Sequence, residues 1–172
     1  MKKRLFITAI CTISISIYII AYRSSNQFRS SQLELASLPS LKFKLLDSVS
    51  QFDTKNIKNG KASLFVYFDP DCEFCQQQIK SILKNIMELR NTSIYLITPA
   101  SLSGLRHFYN QYNLGSYSDI TVAQDFLYNF YRTFKVSSFP NIVIYNQNKM
   151  LVKLYQGEVP IKMITASLKS KP

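Results

Sequence analysis

The chain has 172 residues, of which 47% are hydrophobic and 18% are charged. This length and composition fit one folded domain with a short additional segment. They exclude collagen-like, low-complexity and disordered classes, because a chain this apolar buries enough surface to fold. The three cysteines are too few and too unevenly placed for a disulfide-stapled scaffold, so stability must come from a hydrophobic core.

The basic residues are unevenly distributed. The net charge is +11, from 21 Lys and Arg residues against 10 Asp and Glu residues. Residues 1–29 contain five basic residues and no acidic one, which leaves a charge of +6 for residues 30–172. A nucleic-acid interface has clustered basic residues, often interleaved with aromatic ones, and this chain has no such run. The sequence therefore predicts no nucleic-acid partner.

The N-terminal segment has the pattern of a membrane-directed sequence. Lys2, Lys3 and Arg4 precede eighteen uncharged residues, Leu5 to Tyr22. Eighteen helical residues at about 1.5 Å each just cross a hydrocarbon core, whereas the apolar part of a cleavable signal has only about 7–15 residues. We therefore predict a single-pass signal-anchor helix over residues 1–23, with a cleaved signal peptide as the alternative.

The charges that flank this segment predict its orientation. Three basic residues before it outweigh Arg23 and Arg29 after it, so the N-terminus is expected in the cytoplasm and the rest of the chain outside. This arrangement predicts that the folded domain is exported. Polar residues at 24–40 predict a linker, and residues 41–172 form the predicted domain.

Hydrophobic periodicity predicts alternating strands and helices after residue 40. The predicted strands lie at residues 41–46, 62–68, 93–98, 120–123, 141–145 and 150–155, the first as an edge strand and the last two as a hairpin. The predicted helices lie at residues 73–90, 101–112, 126–134 and 161–169, and the aromatic stripe of the third is interpreted as core packing. This order predicts an α/β fold with a mixed central sheet flanked by helices.

The segment Cys72-Glu73-Phe74-Cys75 lies where the buried strand at 62–68 gives way to a helix. In that position a pair of cysteines separated by two residues is a specific signal for redox chemistry. The first cysteine faces unpaired N–H groups and the positive end of the helix dipole, which stabilise its thiolate. Cys72 is therefore the predicted nucleophile. Cys75, on the apolar face of the helix, is the predicted resolving thiol.

Two other interpretations of the cysteine pair are less favoured. Structural zinc needs four ligands, and beyond these two thiols the exported part offers only His107 as a further Cys or His ligand. A structural disulfide across four residues would constrain the unfolded chain little, because its stabilisation grows with loop length. The sequence therefore predicts no metal and no cofactor.

Two stretches resemble the thioredoxin-like thiol-disulfide oxidoreductases, and within them the membrane-anchored TlpA/ResA-like group. The stretches are residues 65–75 and residues 136–145, and the resemblance covers residues 41–169. It implies a thioredoxin-like fold and a redox-active disulfide that forms between the two cysteines.

The resemblance also implies a binding surface around the cysteines. Pro140 would follow a cis peptide bond and face the cysteine pair, and Phe139 would offer its backbone to a strand of the substrate. We expect Glu73 and Phe74 to complete this substrate-binding surface.

This sequence departs from the family at positions that affect proton transfer. Val66 replaces the buried acid of classical thioredoxins, and Gln78 replaces the glutamate of ResA-like proteins. No carboxylate that could relay a proton to the buried thiol is evident in the sequence. Water or another acid must therefore carry out this proton transfer. Glu73 places a negative charge beside Cys72, which opposes thiolate formation and favours a reductase over an oxidase.

The predicted function is reduction of protein disulfides outside the cytoplasm. The resemblance implies a single-pass protein of the bacterial cytoplasmic membrane whose domain faces the periplasm. Because a bacterial periplasm is kept oxidising, a membrane partner must supply the electrons. One alternative is a tethered binding module without turnover, which would hold a client protein, or copper through the two thiols and His107. Another is a peroxiredoxin-like antioxidant, although the threonine or serine of that motif is replaced by Asp69.

Overall fold

The computed structural model describes residues 15, 17–20, 22–23 and 35–169. The chain divides into two units, Met1–Ala36 and Ser37–Pro172. The described residues between 15 and 23 are helical and exposed, and no helix among the described residues has the length and hydropathy of a membrane span. Most of the signal-anchor predicted over residues 1–23 lies outside the described residues, and it stays a prediction.

The second unit is built on a seven-stranded sheet. Its strands are β1 Lys42–Leu45, β2 Gln51–Asp53, β3 Ala62–Tyr67, β4 Thr92–Thr98, β5 Ile120–Gln124, β6 Asn141–Tyr145 and β7 Leu151–Gln156. They are arranged in the order β2-β1-β5-β4-β3-β6-β7. β3, β4 and β5 are parallel, and the outer strands pair antiparallel, so the predicted mixed sheet is confirmed.

The first predicted strand is present but is not an edge strand. β1 pairs with β5 on one side and with β2 on the other. The sequence analysis missed β2 because three residues are too few to show a period of two.

Helices flank the sheet as predicted. They are α1 Glu73–Lys84, α2 Leu102–Gln111, α3 Asn129–Thr133 and α4 Ile161–Lys169, with 3₁₀ turns at Thr54–Asn56, Ile86–Leu89 and Leu114–Ser116. The helix predicted at 73–90 ends earlier, because the Asn85 N–H bonds back to the Ile82 carbonyl and the chain continues as a 3₁₀ turn.

The helix predicted at 126–134 is the main difference from expectation. α3 has only five residues, and Phe126 and Leu127 precede it. Of the predicted apolar stripe, Phe130 and Phe134 are buried, whereas Leu127 and Tyr131 are 47% and 45% exposed. The stripe is therefore core packing only in part.

The two faces of the sheet have different cores. On one, which we call the aliphatic face, α1, α2 and α4 cover mainly aliphatic side chains of alternate strand residues, among them Leu64, Val66, Ile94, Leu96, Ile142 and Ile144. On the other, the aromatic face, Phe130 of α3 packs on the rings of Phe43, Phe65 and Tyr67. Because both faces of β3 and β6 are covered, their sequences are apolar except for Ser63 and Asn141.

Candidate active site

The turn after β3 holds Cys72 at the start of α1. Asp69 orders this turn: its carbonyl accepts the Cys72 N–H at 3.1 Å and its Oδ1 accepts the Asp71 N–H at 2.9 Å. Cys72 has an extended backbone and is the N-cap of the helix, with its Sγ accepting the Cys75 N–H at 3.4 Å. The sulfur therefore lies where helix N–H groups and the helix dipole stabilise negative charge.

The two cysteines have the unequal burial that the sequence predicts. Both are free thiols; Cys72 is half-buried and Cys75 is fully buried. Burial raises the pKa of the Cys75 thiol, and its hydrogen bond with the Cys72 side chain raises that pKa further, against an opposing hydrogen bond from the Asp69 backbone. One sulfur is thus accessible and the other is protected, and the accessible sulfur accepts the backbone N–H of the residue that carries the protected one.

Gln78 lies one helical turn after Cys75 on the aliphatic face and is completely buried. Its Oε1 accepts the Val159 N–H at 2.8 Å, which ties α1 to the segment before α4. Its Nε2 has no hydrogen-bond partner among the described residues. A neutral amide therefore occupies the position beside the buried thiol where ResA-like proteins are expected to have a carboxylate.

The peptide bond between Phe139 and Pro140 is cis, as predicted. Asn141 pairs with Tyr67 at the end of β3, which brings the preceding Phe139 and Pro140 to the sheet edge from which the turn to Cys72 starts. Phe139 is half-buried, and Pro140 is buried with its carbonyl accepting the Gly157 N–H at 2.7 Å.

The side chains between the two cysteines are available at the surface. Phe74 is 60% exposed. Glu73 is exposed in the first turn of α1, where its Oε1 accepts a hydrogen bond from Gln77 Nε2 at 3.1 Å. The binding roles expected for these two residues, and for Phe139 and Pro140, stay predictions.

His107 lies on α2 and lines a groove of about 360 Å³ together with Asp69, Asp71 and Gln76. The groove therefore adjoins the turn that leads to Cys72. Within the described residues, no three side chains of His, Cys, Asp or Glu are grouped so that they could bind a metal ion.

The sequence analysis missed a buried polar pair on the aromatic face. Asp125, directly after β5, and Tyr67, the last residue of β3, are both fully buried, and the Tyr67 hydroxyl donates to Asp125 Oδ2 at 3.2 Å. The available signal was an acid that immediately follows an apolar strand, at the sheet edge where parallel strands end.

Three features together define the thioredoxin-like class of proteins. They are a mixed sheet with helices on both faces, a cysteine at the N-terminus of the helix after β3, and a cis proline before β6. A family model described as a thioredoxin-like domain matches residues 52–171. The chain therefore belongs to the thioredoxin-like family, as the sequence resemblance indicated. A search of the curated proteins finds no match.

Solved structures share this fold at low sequence identity. A secreted Mycobacterium tuberculosis disulfide oxidoreductase homologous to Escherichia coli DsbE is 17% identical, with a TM-score of 0.62 over 74% of this chain and 93% of that one. The exposed lipoprotein thioredoxin of Streptococcus pneumoniae is 18% identical, with a TM-score of 0.60 over 76% and 98%. A peroxiredoxin-like protein from Aquifex aeolicus is 11% identical, with a TM-score of 0.64 over 77% and 84%.

Proposed function

We propose that this protein is a thiol-disulfide oxidoreductase that reduces disulfides in polypeptides through Cys72 and Cys75. The observation that carries the proposal is the arrangement of the two sulfurs. One is accessible at a helix N-terminus, and it accepts the backbone N–H of Cys75, which carries the other, buried sulfur. The same arrangement suits a nucleophile followed by a resolving thiol.

The reaction proceeds by two exchanges. The Cys72 thiolate attacks one sulfur of the substrate disulfide, forms a mixed disulfide and releases the other substrate sulfur, which takes up a proton. Cys75 then loses its proton and attacks Cys72 Sγ, which releases the second substrate thiol. Two electrons pass from the protein dithiol to the substrate, and the protein is left with a Cys72–Cys75 disulfide. A dithiol donor must reduce this disulfide for the next turnover.

The extended segment of the substrate would bind along the Phe139–Pro140 edge. In this proposal, backbone groups of Phe139 pair with the substrate chain as an additional strand. The exposed Phe74 ring, two residues after Cys72, offers an apolar contact to the substrate. Glu73 places a negative charge in the first turn of α1, next to Cys72, which supports the reducing direction.

Reduction of insulin by the full-length chain, with dithiothreitol as electron donor, tests this function. We expect turnover, its loss in Cys72→Ser, and a trapped mixed disulfide with insulin in Cys75→Ser. Cys11→Ser is the matched control, because it removes the chain's third cysteine and is expected to leave turnover unchanged. Turnover that survives Cys72→Ser would refute the mechanism.

The two alternative functions give different results with the same preparations. A copper-binding module would take up Cu(I) in a fixed ratio and show no insulin reduction. A peroxiredoxin-like enzyme would consume hydrogen peroxide with dithiothreitol, in a reaction that needs Cys72. The fold alone does not separate disulfide reduction from peroxide reduction, since a disulfide oxidoreductase and a peroxiredoxin-like protein both share it.

We also propose that the domain works on the periplasmic side of the bacterial cytoplasmic membrane and receives electrons from a membrane-bound thiol donor. The basic N-terminus and the eighteen uncharged residues after it support this location. Proteolysis of spheroplasts is the test: protease added outside the cell should degrade the domain. A domain that is protected until the cells are lysed would contradict the proposed location.

A further inference from the structure

The carboxylate of Asp125 is buried and is held by neutral donors. Its Oδ1 accepts the Asn129 N–H at 2.8 Å, and its Oδ2 accepts the N–H groups of Phe130 and Tyr131 at 3.0 and 3.3 Å and the Tyr67 hydroxyl at 3.2 Å. Neither salt bridge of the described residues involves it. Burying a carboxylate without a cation is costly unless its hydrogen bonds are satisfied, so a group this well supported is expected to serve a purpose.

One consequence of these hydrogen bonds is the position of α3. This helix has only five residues, too few to be stable without external contacts. It follows Tyr128, which has a left-handed backbone at φ 54°, an uncommon conformation for a bulky residue. The Asp125 carboxylate binds the first N–H groups of α3, and the Asp125 carbonyl accepts the Tyr128 N–H at 3.1 Å. Asp125 therefore holds the turn and the helix together.

The second consequence reaches the candidate active site through Tyr67. The Tyr67 ring stacks on Phe130 of α3 with centroids 4.8 Å apart, and on Phe139 with centroids 5.6 Å apart. Phe139 is the residue before the cis Pro140. A continuous set of contacts thus runs from the Asp125 carboxylate through the Tyr67 hydroxyl and ring to the residue on which a substrate strand is proposed to pair.

We infer that Asp125 and Tyr67 are positioning residues for polypeptide substrates: they hold Phe139 so that its backbone presents a fixed edge to the chain that carries the disulfide. This inference rests on the proposed function. It assigns the pair to binding of extended peptide and gives it no part in the exchange between sulfurs, because Cys75 packs on the opposite, aliphatic face. A disulfide without peptide groups should therefore not depend on the pair.

The experiment compares two substrates, insulin and hydroxyethyl disulfide, a small molecule that has no backbone to pair. Tyr67→Phe keeps the ring and removes only the hydroxyl, so it is the variant expected to fold without difficulty. Asp125→Asn also weakens the hold on α3. We expect KM for insulin to rise by about threefold to tenfold in Asp125→Asn and by less in Tyr67→Phe, a change of the size that the loss of one ordinary hydrogen bond produces. kcat/KM for hydroxyethyl disulfide should stay the same in both variants.

The control is Tyr95→Phe, which removes a hydroxyl from another largely buried tyrosine that stacks on Phe65 at 4.7 Å on the aromatic face. It should leave KM for insulin unchanged. The double variant of Asp125 and Tyr67 should have no higher KM than Asp125→Asn alone, because the two residues act in series.

The possible failures are distinguishable. Equal losses toward both substrates would show a general structural role and overturn the inference, as would an unchanged KM for insulin in Asp125→Asn. A parent chain that reduces neither substrate would refute the proposed function, and the inference would fall with it.

Discussion

The aliphatic and the aromatic faces of the sheet each bury an ionisable group. The free-energy cost of that burial is limited in a different way on each face. Cys75 on the aliphatic face is a thiol that is neutral at rest, and burial raises its pKa. Burial also raises the pKa of Asp125 on the aromatic face. Hydrogen bonds from Tyr131, Asn129, Tyr67 and Phe130 oppose this effect, because each of them lowers the pKa of the carboxyl. The comparison shows that a thiol can be buried among aliphatic side chains, whereas a carboxylate needs its own set of donors.

This difference separates chemistry from positioning. In the proposed mechanism, the aliphatic face supplies the second sulfur, which must be shielded from solvent until the mixed disulfide forms. The aromatic face supplies rigid rings, which can fix the position of a neighbouring segment with little conformational freedom. The two faces meet at the sheet edge after β3, where Cys72 and the Phe139–Pro140 segment lie. Four measurements test how far this division holds.

The largest expected effect is the loss of stability when a ring is removed from the aromatic core. Phe130 is fully buried and contacts the rings of Phe43, Phe65, Tyr67 and Phe134. Phe130→Ala should lower the free energy of unfolding by about 3–5 kcal/mol, as measured by urea denaturation.

The control for that variant is Leu127→Ala, a change at a neighbouring residue that is 47% exposed. It should cost about 0.5 kcal/mol or less. Similar losses for the two variants would show that α3 is not packed on the aromatic face as described.

A second ionisable group on the aliphatic face should destabilise the protein. In Gln78→Glu the new carboxyl can still accept the Val159 N–H, but burial would raise its pKa above the unfolded value. The folded state then disfavours the charged form, so stability relative to the parent falls as the pH rises above about 4.3. We expect a loss of about 1–3 kcal/mol at neutral pH and a smaller loss at pH 4.

Gln77→Glu is the matched control, because Gln77 is the adjacent residue of α1 and is exposed. Its unfolding free energy should show little dependence on pH across the same range. If Gln78→Glu behaved like this control, the side chain at position 78 would have to reach solvent.

The raised pKa of Cys75 predicts how the resolving step depends on pH. Below that pKa, each pH unit raises the thiolate fraction tenfold. Resolution of the mixed disulfide by Cys75 should therefore accelerate by about tenfold per pH unit from neutral pH upward. Stopped-flow measurement on a preformed Cys72 mixed disulfide checks this slope, and a rate that levels off near neutral pH would contradict the burial of Cys75.

The smallest expected effect is on the reduction potential. Glu73→His removes a negative charge from the first turn of α1 and should raise the potential of the cysteine pair by about 10–20 mV, because the thiolate form is then favoured. Equilibration with glutathione measures it. Glu88→His, a change at an exposed residue beyond the end of α1, should leave the potential unchanged.

Much of the fold follows from periodicity in the sequence. β3, β6 and α4 were predicted within one residue of their observed bounds, because continuous apolar runs and amphipathic stripes are local signals. α3 was predicted too long, since the aromatic spacing at 126–134 mimics a helix although Asp125 caps the chain only from Asn129 onward. β2 was missed because its pairing with β1 is set by the neighbouring strand.

The place of the cysteine pair in the fold could be predicted from the sequence, because everything that defines it lies within four residues of a strand–helix junction. The buried pair of Asp125 and Tyr67 could not, since 58 residues separate its members along the chain. Their contact exists because β4 places β5 and β3 in one sheet with their ends at the same edge. Strand order is a property of the whole packed sheet, and the periodicity of a single segment carries no information about it.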